Sequence, residues 1–296
     1  MMGYLSVKET AENWNLSERS VRNYCQNGRV PGAFLTGGTW NIPDTALQPS
    51  RKAVRTQRER TLLAVLRDEM EGQHKGGIYY KLQIELTYNS NHIEGSKLTH
   101  EQTRHIFETN TIGIEGSILN VDDIIETANH FRCIDYMIRN ANRQISEKMI
   151  KEIHFILKNG TSDSRKAWFA VGDYKKLPNE VGGMETTAPD RVRREIKDLL
   201  NSYSEQINPT FEVLLDFHVR FERIHPFQDG NGRVGRLLLL KECLKHQITP
   251  FIIGEELKLY YYRGLSQWYT EKGYLMDTCL NAQDAFRKVL QKFNIS

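Results

Sequence analysis

A chain of 296 residues, 39% hydrophobic and 26% charged, is long enough for a large core and more than one folding unit. The composition excludes a disordered, collagenous or disulfide-stapled chain. The 40 Lys+Arg against 37 Asp+Glu leave +3, which argues against an extended nucleic-acid coat. Cys25, Cys133, Cys243 and Cys279 form no CxxC pair and read as buried thiols in a reducing compartment. The opening MMGYLSVKET has no apolar h-region, and the apolar run Leu237–Leu240 is far too short to span a bilayer. A cytoplasmic protein without a membrane segment is expected.

Residues 1–50 read as a separate head. Ser6 and Glu9 have capping-box spacing before a short helix over about Val7–Trp14. Asn15 and Ser17 mark a turn and a new cap. Val21, Tyr24 and Cys25 give a second helix its apolar face, and Asn27-Gly28 stops it. Gly37-Gly38 and the proline-closed Thr39-Trp40-Asn41-Ile42-Pro43 predict a tight hairpin. Two short helices and a wing are the layout of a DNA-reading module. The stretch resembles the winged helix-turn-helix heads of excisionase-like and MerR-like regulators, which would present Glu18, Arg19, Ser20 and Arg22 to a groove. The head is nevertheless formally neutral. Its phosphate attraction would come mostly from the linker 51–60, RKAVRTQRER, with five basic groups and one acidic. DNA binding through residues 1–60 and a protein-docking role both stay open.

Residues 61–296 read as mostly helical. After the face made by Leu62, Leu63, Val65 and Leu66, helical patterns run over Tyr79–His92, Val121–Ala141, Ser146–Leu157, Ala188–Tyr203 and Phe211–Arg223. Three more cover Gly232–His246, Lys258–Thr270 and Asn281–Phe293. Gly160 closes one helix, and Pro189-Asp190 open another. The stretch Asn159–Pro189 is the least helical, and a β-hairpin is expected there, over about Lys176–Thr187 with Gly182 and Gly183 at its tip. The fold class is therefore mainly α with a small hairpin. His218 reads as a hydrogen-bonded core group; His130, His154 and His246 have no metal-ligand spacing, so no zinc site is expected.

The chemistry concentrates in His225-Pro226-Phe227-Gln228-Asp229-Gly230-Asn231-Gly232-Arg233-Val234-Gly235-Arg236, a loop opening a strongly apolar helix. Gly230, Asn231 and Gly232 can form a nest of N–H groups at a helix start, where anions are favoured. Arg233 and Arg236 are three apart and share one face, so both can meet a single polyanion. Asp229 beside a phosphate nest makes sense if it holds Mg²⁺. His225 has an ordinary pKa near neutral and suits proton transfer. Together these residues read as sites for a triphosphate, a metal and a general base.

HPFQDGNGRVGR resembles, at every specified position, the signature HxFx(D/E)GNGRxxR of Fic-domain proteins (the Fic/DOC superfamily), and its flanks DFHVRFERIHPF and LLLLKECL resemble the family too. The resemblance extends from about Leu62 to the C-terminus. It implies a helical Fic fold and transfer of AMP from ATP to a Ser, Thr or Tyr hydroxyl of a target protein. In that resemblance His225 is the base and Asp229 holds Mg²⁺ across the α- and β-phosphates. Gly230, Asn231 and Gly232 form the nest, with Asn231 near the α-phosphate. Arg233 meets the β-phosphate, Arg236 the γ-phosphate, and Phe227 holds the loop. Of Tyr260, Tyr261 and Tyr262, which cannot all face one pocket, Tyr262 is read as the adenine contact. The hairpin would align the target by β-augmentation, and family members often form homodimers through the helical body.

Ser90-Asn91-His92-Ile93-Glu94-Gly95 looks like the family's inhibitory motif (S/T)xxxE(G/N). Glu94 would pair with Arg236 and displace the γ-phosphate, two anions competing for one guanidinium. Thr111 through Gly116 also satisfies the pattern, but Glu94 ends a helical run whereas Glu115 lies in a loop-like stretch. In relatives the same glutamate is linked to hydrolytic removal of AMP. Removal of AMP and nucleotide-responsive regulation through the head are the alternatives to AMP addition.

Overall fold

The computed structural model describes residues 3–49, 61–113 and 118–295. The chain divides into two compact units, Met1–Arg58 and Glu59–Ser296. The basic run 51–60 and Glu115 lie outside the described residues.

In the first unit, β1 (Tyr4–Leu5) leads into α1 (Val7–Asn13) and α2 (Glu18–Gln26), followed by β2 (Phe34–Thr36) and β3 (Thr39–Pro43). Ser6 and Glu9 cap α1 reciprocally: Glu9 N–H donates to Ser6 Oγ at 3.3 Å and Ser6 N–H to Glu9 Oε2 at 2.8 Å. Gly37 and Gly38, at φ 56° and 83°, supply the two left-handed residues a tight hairpin needs. That turn pairs Thr36 with Thr39 and Leu35 with Trp40, and β1 joins the free side of β3 in the order β1-β3-β2. Val7, Ala11, Val21, Cys25, Val30 and Ile42 form a core of this unit's own.

The second unit is helical: α3 (Leu62–Glu71), α4 (Ile78–Ile93), α5 (His100–Thr109), α6 (Val121–Asn140) and α7 (Glu147–Lys158). A hairpin of β4 (Glu180–Val181) and β5 (Met184–Glu185) follows, turned by Gly182 and Gly183 at φ 56° and 76°. Then come α8 (Pro189–Ser204), α9 (Phe211–Ile224), α10 (Asn231–Lys245), α11 (Lys258–Gln267) and α12 (Gly273–Lys292). Helix α10 is buried all round, and Leu237, Leu238, Leu239 and Leu240 are all covered. Such a helix belongs in the middle of a bundle, and it packs on α9, α6, α4 and α7.

This architecture is mainly α with a small hairpin, as the sequence patterns predict. Two differences stand out. Helix α5 lies where no helix is expected, and its Thr99–Gln102 capping box closes with Gln102 N–H to Thr99 Oγ1 at 3.1 Å. Helix α12 starts at Gly273 rather than Asn281, because Leu275 and Cys279 extend its buried face toward the N-terminus. All four cysteines are buried and unpaired. No helix among the described residues is long and apolar enough to cross a membrane.

Candidate active site

Helix α9 stops at His225, which takes a left-handed conformation at φ 50°, ψ 62°. Five residues later α10 begins behind Gly230, at φ 82°. The turn between them is fixed from inside. The Asn231 amide accepts from Phe227 N–H at 2.8 Å and donates to Phe227 O at 2.9 Å. Phe227 is fully buried and stacks on the His154 ring of α7, centroids 3.9 Å apart and planes within 5°.

His154 also ties down the loop backbone. Gly172 N–H donates to its Nδ1 at 2.9 Å, so the proton sits on Nε2, which faces Asp229 O at 3.2 Å. Burial, reinforced by Lys158, pushes this imidazole down to about 3 and keeps it neutral. A group with no metal-ligand spacing in the sequence thus has a scaffolding role.

The two arginines point to different partners. Arg233, 4% exposed, donates to Glu126 of α6 and to Asp229 Oδ2 at 3.3 Å. Lys158 at the end of α7 joins them: its ammonium donates to Glu126, to Asp163 Oδ2 at 2.8 Å and to Asp229 Oδ2 at 2.7 Å. Burial works against an ionised Asp229. Arg233, Lys158 and the Gly230 N–H outweigh it and hold that carboxyl well below the usual carboxylate range. Carboxylate oxygens of Glu126, Asp163 and Asp229 lie within 4.8 Å of one another. Such a set of hard oxygen donors fits Mg²⁺. Asp229, its side chain 50% exposed, is the donor open to solvent.

Arg236 turns to α4. Its Nε donates to Ser90 Oγ at 3.0 Å, and one terminal nitrogen reaches Ser90 O at 2.9 Å and Glu94 Oε1 at 2.6 Å. Glu94 follows the last residue of α4, with its side chain 27% exposed. A Cβ added to Gly232 would lie 2.2 Å from Glu94 Oε1. Only glycine lets this carboxylate lie against the first turn of α10, where the helix dipole favours an anion. Tyr262 lies on the same side, its hydroxyl 3.5 Å from Ile93 O. Tyr261 is buried with its hydroxyl 2.5 Å from His218 Nε2, whereas Tyr260 faces solvent.

His225 completes the loop. Its Nδ1 lies 3.2 Å from Glu222 O, so Nδ1 donates and Nε2 keeps its lone pair. Burial lowers its pKa to about 4, and the Lys175 charge adds to the shift. A neutral imidazole with a free lone pair can accept a proton at neutral pH. The fold thus brings Ser90, Glu94, Asp229, Asn231, Arg233, Arg236 and Tyr262 around one helix start. Asn231 spends its amide on the loop itself. The roles of Glu126, Lys158, His154 and Lys175 are not legible in the sequence, because each meets the loop only after the chain packs.

Residues 144–243 match the Fic/DOC family. The protein adenylyltransferase Fic of Drosophila willistoni is 29% identical over 187 residues, covering 60% of this chain and 35% of that protein. Protein adenylyltransferase fic-1 of Caenorhabditis elegans is 27% identical over 182 residues, again 60% of this chain and 35% of the relative. The chain therefore spans about a third of the length of these curated relatives. Among solved structures, a Fic-domain signaling protein from Bacteroides thetaiotaomicron shares the fold at TM-score 0.62 and 22% identity, covering 77% of this chain and 94% of that one. Fic-1 from Caenorhabditis elegans aligns at TM-score 0.58 and 19% identity, covering 80% and 73% of the two chains. The signature loop, the bundle around it and these matches agree, and membership of the Fic/DOC superfamily is well supported for this chain.

Proposed function

We propose that the protein transfers AMP from ATP to a Ser, Thr or Tyr hydroxyl of a target protein, and that Glu94 restrains it. The observation that carries this reading is the loop itself. A neutral histidine with a free Nε2, two buried arginines and an anion-favouring helix start lie within the one segment from His225 to Arg236.

In the proposed step the target hydroxyl gives its proton to His225 Nε2 as its oxygen attacks the α-phosphorus. The α–β bridging bond breaks, and pyrophosphate leaves with the negative charge. Arg233 and Arg236 meet the β- and γ-phosphates, and the Gly230–Gly232 backbone meets the α-phosphate. Rate enhancement then comes mainly from positioning and charge stabilisation. Asp229 would hold Mg²⁺, which when bound neutralises phosphate charge. Glu94 opposes this arrangement by holding Arg236 and lying against Gly232. The same contact favours a second reading, removal of AMP, because a carboxylate beside the α-phosphate position can orient water.

Intact-mass measurement with ATP and Mg²⁺ tests the first reading. Addition of one AMP, raised by Glu94→Gly and lost in His225→Ala, is the expected result. Release of AMP from a premodified protein, dependent on Glu94, would instead support the second. For the head, Arg19 and Arg22, both exposed on α2 and the latter paired with Glu18, are the residues on which the DNA-binding alternative rests. Loss of duplex binding in Arg19→Ala/Arg22→Ala checks it.

A further inference from the structure

Lys175 sits between the hairpin and the catalytic loop and is 3% exposed. Its backbone N–H donates to Pro226 O at 2.9 Å, next to His225. Its ammonium donates to Asn179 Oδ1 at 2.6 Å and Thr186 Oγ1 at 2.5 Å, the residues flanking the β4–β5 hairpin. Asn179 in turn donates from Nδ2 to Phe227 O at 3.0 Å, and Leu177 N–H donates to Gln228 Oε1 at 3.3 Å. Thr186 N–H closes the hairpin base on Asn179 O at 3.3 Å.

A buried ammonium is costly without a countercharge. Among the described residues Lys175 forms no ion pair, and its two ammonium acceptors are neutral. A merely structural filler here would be apolar.

We propose that Lys175 is a positioning residue that latches the flap hairpin to the His225 loop, keeping the strand that receives the target in register with the base that takes its proton. This rests on the reading of His225 as the base and of the hairpin as the target's docking edge. A hairpin of two residue pairs has little stability of its own. Its placement therefore depends on such ties at its base.

The latch has a second consequence. His225 bonds the Glu222 carbonyl, and the charges of Lys175, Glu94 and Asp229 act on it. Lys175 is the one cation among these and opposes formation of an imidazolium. Holding it in place helps keep His225 unprotonated, whereas the two carboxylates pull the other way.

The test uses the full chain as wild type, Lys175→Met, Lys175→Gln and Lys175→Arg, with Lys175→Gln keeping a donor if the methionine variant folds poorly. Amide exchange at Thr186 reads the latch, and histidine-resolved NMR titration reads His225. Lys175→Met and Lys175→Gln should raise the His225 pKa toward its ordinary value near 6.5. Lys175→Met should also speed Thr186 exchange by about 10-fold or more. Lys175→Arg should restore both toward wild type. Unchanged exchange in Lys175→Met, or an unchanged His225 titration in both neutral variants, overturns the proposal. AMP incorporation in His225→Ala separates the two readings: its persistence removes the base assignment, whatever the latch measurements show.

Discussion

Arg233 and Arg236 stand three residues apart on one helix, and both are buried, yet they are held in opposite ways. Arg233 is locked into a network with Glu126, Asp229 and Lys158, and Glu126 projects from inside α6, in its second turn, at 9% exposure. Arg236 has one carboxylate, Glu94, at the end of α4 and backed by Ser90. A partner inside a helix cannot leave without disturbing that helix. A partner at a helix end, followed by Gly95 at φ 100°, has backbone freedom to move. One side of the proposed phosphate site thus has the geometry of a scaffold and the other that of a releasable contact.

The largest expected effect breaks the scaffold side. Glu126→Ala would leave Arg233 and Lys158 buried with less countercharge, costing about 3–5 kcal/mol. Chemical denaturation should show that loss, and a change under 1 kcal/mol would mean that the network is not a scaffold. Lys158→Met is next. It leaves the Glu126, Asp163 and Asp229 carboxylates crowded, so stability should fall by about 2 kcal/mol without divalent cation. Added Mg²⁺ should then recover much of the lost melting temperature while stabilising wild type less. Equal Mg²⁺ responses would show that Lys158 does not compete for this position. Glu94→Gly breaks the releasable side. Stability should change by about 1 kcal/mol or less, because the carboxylate is partly solvated. AMP incorporation should rise about 10-fold or more. A large stability loss without added activity would make Glu94 a structural tie like Glu126.

The legibility of the sequence follows the same division. The loop from His225 to Arg236 is contiguous, so residue types and spacing disclose it together, and the leucine run behind it marks a buried helix. Glu94 is legible because it closes a helical pattern. Glu126 and Lys158 carry no local mark: they meet Arg233 only when α6 and α7 pack on α10. Helix α5 is not legible from periodicity because Thr103 and Ile106 are its only buried residues, too few for a clear period, although Thr99 and Gln102 have capping-box spacing. The early start of α12 was hidden behind Gly273, which reads as a break.

A pH-dependent effect sharpens the Arg236 side. Glu222 stands behind Arg236 against Gly235, where an added Cβ would lie 2.3 Å from its Oε1. Among the described residues that oxygen is buried without a hydrogen-bond partner. Burial raises the carboxyl from 4.5 to about 8, more than Arg236 lowers it. Near neutral pH it is therefore mainly protonated, which leaves Glu94 as the carboxylate paired with Arg236. A folded-state pKa above the unfolded one contributes stability that is full below pH 4.5 and is lost as pH rises through about 8. Glu222→Gln has no such titration. Its stability relative to wild type should grow by about 1 kcal/mol per pH unit across that window, read from denaturation midpoints at several pH values. Parallel curves would place an ionised Glu222 beside Arg236, giving that arginine two carboxylates and removing its contrast with Arg233.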